Sequence, residues 1–224
     1  GGKVAEGNGV NYTQGNCIYA AGTSASQISS LTIRGCRFID GHNGCALVFV
    51  NNSVVSDNIF DFTHAALAQI LTRRATNCVI SSNVFRSTGG AEDAIWMNTP
   101  SDDPTLYNVI AANTIEGSYI FEGINCFGAY TTITGNAIRM PNPPAGVVGI
   151  RLVQDSGHTV NTVHHNSVVG NVIRLQGTLG TTGISIDDVT ALGNFDNAIT
   201  GNVITCSGFG INISDNCSRN VITG

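Results

Sequence analysis

The sequence predicts an all-β protein, a right-handed parallel β-helix solenoid of about seven to eight coils with an asparagine ladder. Two repeating phrases carry this prediction. The first has the form apolar-x-apolar-x-x-Asn-x-apolar and returns along nearly the whole chain, and the second, small-apolar-x-apolar, follows most of its copies. Composition agrees, because only 11% of the residues are charged, well below the usual fraction of about a quarter. Strong surface helix formers such as lysine and glutamate are correspondingly few.

Each copy of the first phrase describes a short strand, a corner and a second short strand. The copies include VVSDNIF at 54–60, VISSNVF at 79–85, VIAANTI at 109–115 and TITGNAI at 132–138. Asparagine suits the corner because it tolerates left-handed backbone and because its amide can bond to the asparagine of the next coil. An antiparallel sandwich does not repeat one corner residue in this way, so the repetition favours stacked coils. The marker residues are Cys36, Asn58, Asn83, Asn113, Asn136, Asn171 and Asn202.

The second phrase describes a third strand in each coil. Its copies are AIWM at 94–97, GINC at 123–126, GIRL at 149–152, GISI at 183–186 and GINI at 210–213. Neighbouring side chains of a strand point to opposite faces, so if the apolar positions face inward, the residues between them face outward together. The predicted inward residues are Ile95, Met97, Ile124, Cys126, Ile150, Leu152, Ile184 and Ile186. The predicted outward column is Trp96, Asn125, Arg151, Ser185 and Asn212.

The repeats indicate one structural unit. Residues 1–224 are interpreted as a single β-helix segment, with a less regular entry region over 1–30 and coils over 31–224. Both ends fall within the repeat pattern, so we expect the chain to be a piece of a longer protein. The seven cysteines form no CxxC pair and are odd in number, which indicates neither a zinc site nor a full set of disulfides.

Charge and hydropathy argue against two classes of partner. The formal net charge is -5 and Lys3 is the single lysine, so the sequence offers no basic patch of the kind that neutralises phosphates. We therefore expect no nucleic-acid partner. No run approaches the roughly 18 consecutive apolar residues of a membrane span, so we expect no membrane insertion.

The repeat resembles the pectate-lyase-like superfamily of right-handed parallel β-helices, and the long irregular loops resemble those of bacteriophage tailspike and depolymerase β-helices. The resemblance covers Leu31 to Gly224. It implies a polysaccharide as partner and a homotrimer as the assembly. It also implies an extracellular or virion-surface location, on a phage tail, after synthesis in a bacterial cytoplasm.

The outward column predicts a sugar-binding face that includes Trp96, Asn125, Arg151 and the nearby Asp187. An exposed indole can stack on the apolar face of a pyranose, while amide, guanidinium and carboxylate groups bond its hydroxyls. The alternative is that Trp96 lies under a loop or in a trimer interface. Because loops of a coil leave from the same edge, the longest inserts should wall a groove along this face. These inserts are 89–93, 98–106, 140–148 and 154–165.

Acidic residues beside the column are the candidates for catalysis. Adjacent coils stack about 4.8 Å apart, so carboxylates one coil apart match the spacing of a retaining glycosidase and those two coils apart match an inverting one. We predict Glu122 as proton donor, with Asp155 or Asp93 as the base. For each of these acids the alternative is a solvated turn residue.

Three functions fit these residues. The favoured hypothesis is a tailspike-like glycoside hydrolase that binds and degrades a bacterial surface glycan and needs no cofactor or metal. A polysaccharide lyase is less favoured; there Arg151 would act at the uronate, and Asp187 and Asp188 can hold calcium. The main alternative, from a different class, is a non-catalytic structural or adhesin β-helix that binds a receptor.

Overall fold

The computed structural model of the chain describes residues 15–99, 105–154, 162–177, 180–188 and 193–224. These segments consist of β-strands, turns and bends, and no helix among them is long and apolar enough to cross a membrane. In chain order the strands are β1 (Asn16–Ala21), β2 (Ile28–Ser29), β3 (Thr32–Arg34), β4 (Arg37–Ile39), β5 (Asn43–Val48), β6 (Val50–Asn51), β7 (Val54–Ser56), β8 (Ile59–Phe62), β9 (Ala68–Arg73), β10 (Val79–Ser81), β11 (Val84–Asn98), β12 (Val109–Ala111), β13 (Thr114–Cys126), β14 (Thr132–Thr134), β15 (Ala137–Met140), β16 (Val148–Gln154), β17 (Ser167–Val169), β18 (Val172–Leu175), β19 (Thr182–Asp188), β20 (Asn194–Phe195), β21 (Ala198–Thr200), β22 (Val203–Thr205), β23 (Ile211–Ile213), β24 (Cys217–Ser218) and β25 (Val221–Thr223).

Apart from the short strand pairs β2–β6 and β20–β24, the strands form three parallel faces that the chain visits in turn. Face A contains β3, β7, β10, β12, β14, β17, β21 and β25. Face B contains β4, β8, the first parts of β11 and β13, β15, β18 and β22. Face C contains β1, β5, β9, the last parts of β11 and β13, β16, β19 and β23. Every strand pairs in parallel with the strand one coil away, so the predicted right-handed parallel β-helix is confirmed, with about seven turns.

The interior is filled by side chains that stack on their equivalents in the next coil. On the inner side of face B the rings of Phe38, Phe60 and Phe85 stack with centroids 4.6 and 4.8 Å apart. Such offset stacking adds to the apolar area that these rings bury. On face C the predicted alternation is confirmed, because all eight residues expected to face inward are buried.

The predicted asparagine ladder lies at the corner between faces A and B. Asn113 illustrates it: its Nδ2 donates to Oδ1 of Asn136 at 2.9 Å and to the carbonyl of Ile80 at 2.9 Å. Its own Oδ1 accepts the backbone N–H and the Nδ2 of Asn83, both at 3.0 Å. The same bonds join each successive pair of asparagine markers from the second to the last. Each amide therefore ties its own coil to both neighbours.

The expectation that asparagine itself takes the left-handed conformation at this corner is wrong. The residue before each marker has the positive φ, for example 57° at Asp57, 56° at Ser82 and 54° at Ala112. In the four other coils a glycine stands there. The reason is geometric. The preceding residue turns the chain from face A to face B, which lets the asparagine amide point along the solenoid axis and bond to the coil before it and to the coil after it.

A second ladder, which the repeat phrase did not reveal, lies at the corner between faces C and A. Cys78 N–H donates to Oδ1 of Asn108 at 2.9 Å. Asn166 N–H donates to Oδ1 of Asn197, also at 2.9 Å, and Nδ2 of Asn197 donates to Oδ1 of Asn220 at 2.9 Å. The signal was present, because Asn108, Asn166 and Asn197 each stand five residues before a marker asparagine.

The prediction that 89–93 is a loop insert is wrong. This segment lies inside β11, which runs for 15 residues across faces B and C, with shifts of register between Ser87 and Asp93. The extra residues are absorbed as bulges, which bend a strand without ending its pairing. The inserts 98–106 and 154–165 lie partly outside the described residues.

Candidate functional site

The site lies on the outer side of face C, where strand register sets one side chain per coil. Trp96 pairs with Asn125, Asn125 with Arg151, Arg151 with Ser185, and Ser185 with Asn212. This is the predicted outward column, and its register is confirmed. Parallel pairing without a slip places these side chains about 4.8 Å apart, within reach of one extended ligand.

Charged side chains link three consecutive coils beside this column. Arg151 donates from Nη1 to Oε1 of Glu122 at 2.9 Å, one coil before it, and from Nε to Oδ2 of Asp187 at 2.7 Å, one coil after it. Ser185 Oγ donates to the other oxygen of Asp187 at 2.8 Å. The guanidinium thus spans two carboxylates, and its side chain, 32% exposed, forms the accessible edge of the network.

Asp93 and Glu122 form the buried end of the network. They are register partners on adjacent coils, with exposed fractions of 3% and 4%. Asp93 Oδ1 accepts the backbone N–H of Glu122 at 3.0 Å, and Asn125 Nδ2 donates to Oε2 of Glu122 at 3.3 Å. Burial and the negative charge of Glu122 raise the pKa of Asp93 well above its ordinary value. Both effects favour the protonated form of Asp93.

Glu122 also acts on two further groups. Partial burial and the Glu122 charge raise the pKa of Glu92. Burial by itself lowers the pKa of Arg151, but hydrogen bonds and charges from Asp187 and Glu122 outweigh burial and raise that pKa above its ordinary value. Arg151 accordingly stays a cation, and it neutralises charge rather than accepting a proton.

Trp96 is half-buried at the apolar end of the column. Its indole packs against Leu71, Ala46 and Ala68 on the preceding coils, and the Phe127 ring lies at 6.5 Å between centroids. Within the described residues, its Nε1 is buried and has no hydrogen-bond partner, and neither has Oδ1 of Asn125. A donor and an acceptor without partners therefore stand on adjacent coils of the column.

The structure brings six of the seven predicted site residues together. They are Asp93, Glu122, Trp96, Asn125, Arg151 and Asp187. The seventh, Asp155, lies outside the described residues. The apolar end formed by Ala46 and Leu71 was missed, although the stretch GCAL at 44–47 carries the small-apolar-x-apolar phrase.

Together these features define the class of protein, a right-handed parallel β-helix with a buried charged network along one outer face. Residues 3–182 match the sequence profile of the family described as periplasmic copper-binding protein (NosD). Because this match spans well over half of the chain, the chain belongs to the NosD family.

Comparison with solved structures gives the same fold. An alginate lyase from a Paenibacillus species has a TM-score of 0.52 at 13% identity, and the alignment covers 91% of this chain and 76% of the lyase. A DFA-IIIase from Arthrobacter chlorophenolicus has a TM-score of 0.46 at 15% identity, covering 97% of this chain and 68% of that enzyme. The likeness to the alginate lyase, at 13% identity, shows the fold alone. No curated protein matches the sequence.

Proposed function

We propose that the chain binds a polysaccharide along face C and hydrolyses it at the Asp93 and Glu122 pair. The observation that carries the binding proposal is the pair of unsatisfied polar atoms, Trp96 Nε1 and Asn125 Oδ1, beside the partly exposed Arg151. A buried polar atom without a partner costs about 1 to 3 kcal/mol. Both atoms are buried without ligand, so neighbouring side chains must move aside before a sugar hydroxyl reaches them. Because a hydroxyl can both donate and accept, one hydroxyl can then satisfy the two atoms while the indole contacts the ring.

The hydrolytic part rests on the unequal surroundings of the two carboxyls. Asp93 has a raised pKa, which suits a proton donor, whereas the carboxylate of Glu122 is paired with the Arg151 cation. When the surroundings of two neighbouring carboxyls give them different pKa values, the one with the higher pKa usually acts as the acid and the other as the base or nucleophile. Their strands lie one coil apart, about 4.8 Å, which is close to the separation of a retaining pair, although the two side chains hydrogen-bond to each other. Glu122 is then the nucleophile. This assignment reverses the roles predicted from sequence, because Arg151 pairs with Glu122, whereas burial and the Glu122 charge raise the pKa of Asp93.

The test uses a panel of bacterial surface polysaccharides, with new reducing ends reporting hydrolysis and ultraviolet absorbance reporting unsaturated sugars. We expect Trp96→Ala to weaken glycan binding, with Tyr107→Ala as matched control, because Tyr107 is exposed at a different corner. We expect Glu122→Gln to abolish new reducing ends while binding is retained. Wild-type hydrolysis that survives unchanged in Glu122→Gln removes the catalytic assignment, and unaltered binding by Trp96→Ala removes the binding face.

A second candidate function is the non-catalytic adhesin rod, and one observation favours it. The side chains of Asp93 and Glu122 are almost completely buried, and a buried charge network can serve to fix the register of coils rather than to react. The panel separates the two functions, since a rod binds glycan without releasing reducing ends.

The lyase hypothesis receives less support. Abstraction of a proton from a uronate needs a base, and the raised pKa of Arg151 opposes that role. The alginate lyase of the same fold supports a polysaccharide as the class of ligand, but it assigns no residue here.

The family description raises the question of copper. The described residues do not fit such a site, since they contain no group of three or more His, Cys, Asp or Glu side chains placed to hold a metal ion. The proposed mechanism therefore includes no copper. The periplasmic description supports action outside the cytoplasm, while the homotrimer and the virion surface stay predictions.

A further inference from the structure

A second set of polar side chains, remote from the face C column, lies on the outer side of face B. Strand register places Arg86, Glu116, Arg139 and Arg174 in one outward column on four consecutive coils. With Asp61 on the coil before Arg86, the column holds three arginines and two carboxylates and is still net positive, on a chain whose net charge is -5. Positive charge is thus concentrated on a molecule that is acidic as a whole.

The arginines of this column differ from three other exposed arginines, which are paired. Arg34, Arg37 and Arg219 each bond a carboxylate one coil away, at 2.6 to 2.8 Å. Among the described residues, no carboxylate forms an ion pair with Arg86, Arg139 or Arg174, although Glu116 stands in the same column. Three exposed guanidinium groups therefore offer free donors in one direction.

The surface around them is concave. A cavity of about 330 Å³ is lined by Arg86, Thr88, Glu116, Arg139 and Pro141, among others. A second cavity of about 150 Å³ continues along the face past Arg174 and shares Glu116 and Arg139 with the first. The two cavities form one shallow groove that runs along the solenoid axis.

The floor of the groove is held rigidly. Gly117 lines the larger cavity with φ of 120°, and a Cβ there would lie 2.0 Å from the carbonyl oxygen of Ser87. The backbones of β11 and β13 thus approach closely below the groove. The carbonyl of Arg86 accepts from Gln69 Nε2 at 2.7 Å, and Gln69 accepts from the buried Tyr119 hydroxyl at 2.8 Å. The backbone that carries Arg86 is fixed before any ligand arrives.

We propose that this groove binds a linear acidic oligosaccharide through its carboxylate groups. A guanidinium presents a planar fork of donors that matches a carboxylate. The arginines recur at steps of one and two coils, about 4.8 and 10 Å, and a chain of uronate sugars presents carboxylates at comparable intervals. Duplex DNA is a poorer match because it carries one charge per about 1.7 Å, and the net charge of -5 repels it.

Exposed aliphatic side chains complete the surface. Val172 and Val203 lie on neighbouring coils of face B and are exposed to solvent. They run beside the arginine column, where the apolar faces of sugar rings can rest. The groove therefore combines the charged and apolar contacts that an acidic glycan needs, and this proposal does not depend on hydrolysis at face C.

The test is calorimetric titration of the chain with an oligogalacturonate, compared with a neutral cello-oligosaccharide, a sulfated heparin oligosaccharide and a DNA duplex. We expect Arg139→Gln and Arg174→Gln each to weaken oligogalacturonate binding about tenfold, and salt to weaken it further. Arg34→Gln is the matched control, an exposed arginine on face A that is already paired with Asp57. Tyr107→Ala, which removes an exposed ring at a corner outside both faces, should leave this binding unchanged.

Several outcomes would overturn the proposal. Equal affinity for the neutral sugar would remove the role of the carboxylate, and tighter binding of the sulfated sugar or of DNA would assign the groove to another anion. A loss as large in Arg34→Gln as in Arg139→Gln would indicate unspecific charge attraction. If sedimentation shows self-association that Arg139→Gln abolishes, the occupant is a second copy of the chain.

Discussion

Replacing Asn113 by leucine in the middle of the ladder tests how the coils are held together. The Asn113 side chain makes four hydrogen bonds, two as acceptor from Asn83 and two as donor to Asn136 and Ile80. It is 1% exposed, so water cannot replace these bonds. At about 1 kcal/mol for each net bond, the substitution should cost about 4 kcal/mol.

The assay is equilibrium unfolding in urea, followed by circular dichroism and by tryptophan fluorescence. Coincident transitions from the two probes establish that one free energy of unfolding describes the chain. The matched control is Asn202→Leu, at the last marker of the ladder, which is only half-buried. There solvent can replace part of the lost bonding, so we expect a clearly smaller loss.

Two results would refute the reasoning. A loss below about 1 kcal/mol in Asn113→Leu would mean that the ladder bonds add little beyond solvation of the free amide. An equal loss of unfolding free energy at Asn113 and Asn202 would mean that burial does not decide how much each ladder asparagine stabilises the chain. A changed slope with urea would instead indicate that the denatured state had been altered.

Three further predictions concern other parts of the molecule. The raised pKa of Asp93 means that the folded state holds the Asp93 proton more tightly than the unfolded state does. The stability that Asp93 contributes is therefore complete below its ordinary pKa of 3.8. This stability is lost as pH rises towards the folded-state pKa. Asp93→Asn should therefore gain stability relative to wild type between acidic and neutral pH in urea unfolding, and a constant difference would contradict this. Gly117→Ala should lower the melting temperature much more than Gly135→Ala, since a Cβ collides with Ser87 at the first position and meets nothing within 4 Å at the second; equal shifts would oppose the close approach. Phe60→Ala should cost about 3 to 5 kcal/mol in urea unfolding, because the ring is buried between Phe38 and Phe85, whereas the exposed ring of Tyr107 should be removable at much lower cost.

The stacked-coil fold could be predicted from sequence because each coil faces its own copy. Identical positions then meet the same surroundings, so a corner residue such as Asn83 or Asn113 recurs and becomes visible as a repeat. The face to which each strand side chain points was also predictable from a regular pattern. Since strand residues alternate strictly, the inward positions of Ile124 and Cys126 force Asn125 outward.

Other features depended on the geometry of the folded chain. The repeat did not predict that Asp57 and Ser82 would take the left-handed conformation instead of the asparagines that follow them. Either of the two corner residues can adopt that conformation and turn the chain. Nor did it show that residues 89–93 continue a strand, since bulges absorb extra residues without a sequence period.

The chemistry of the outer faces was decided by tertiary structure alone. Burial depends on every neighbouring coil, so the sequence could not tell that the pKa of Asp93 would be raised. Arg86, Arg139 and Arg174 stand 53 and 35 residues apart in sequence, and register alone brings them into one column. A repeat in sequence reports which contacts are the same in every coil, whereas a site is made by the side chains that differ from coil to coil, and these come together only when the chain is wound.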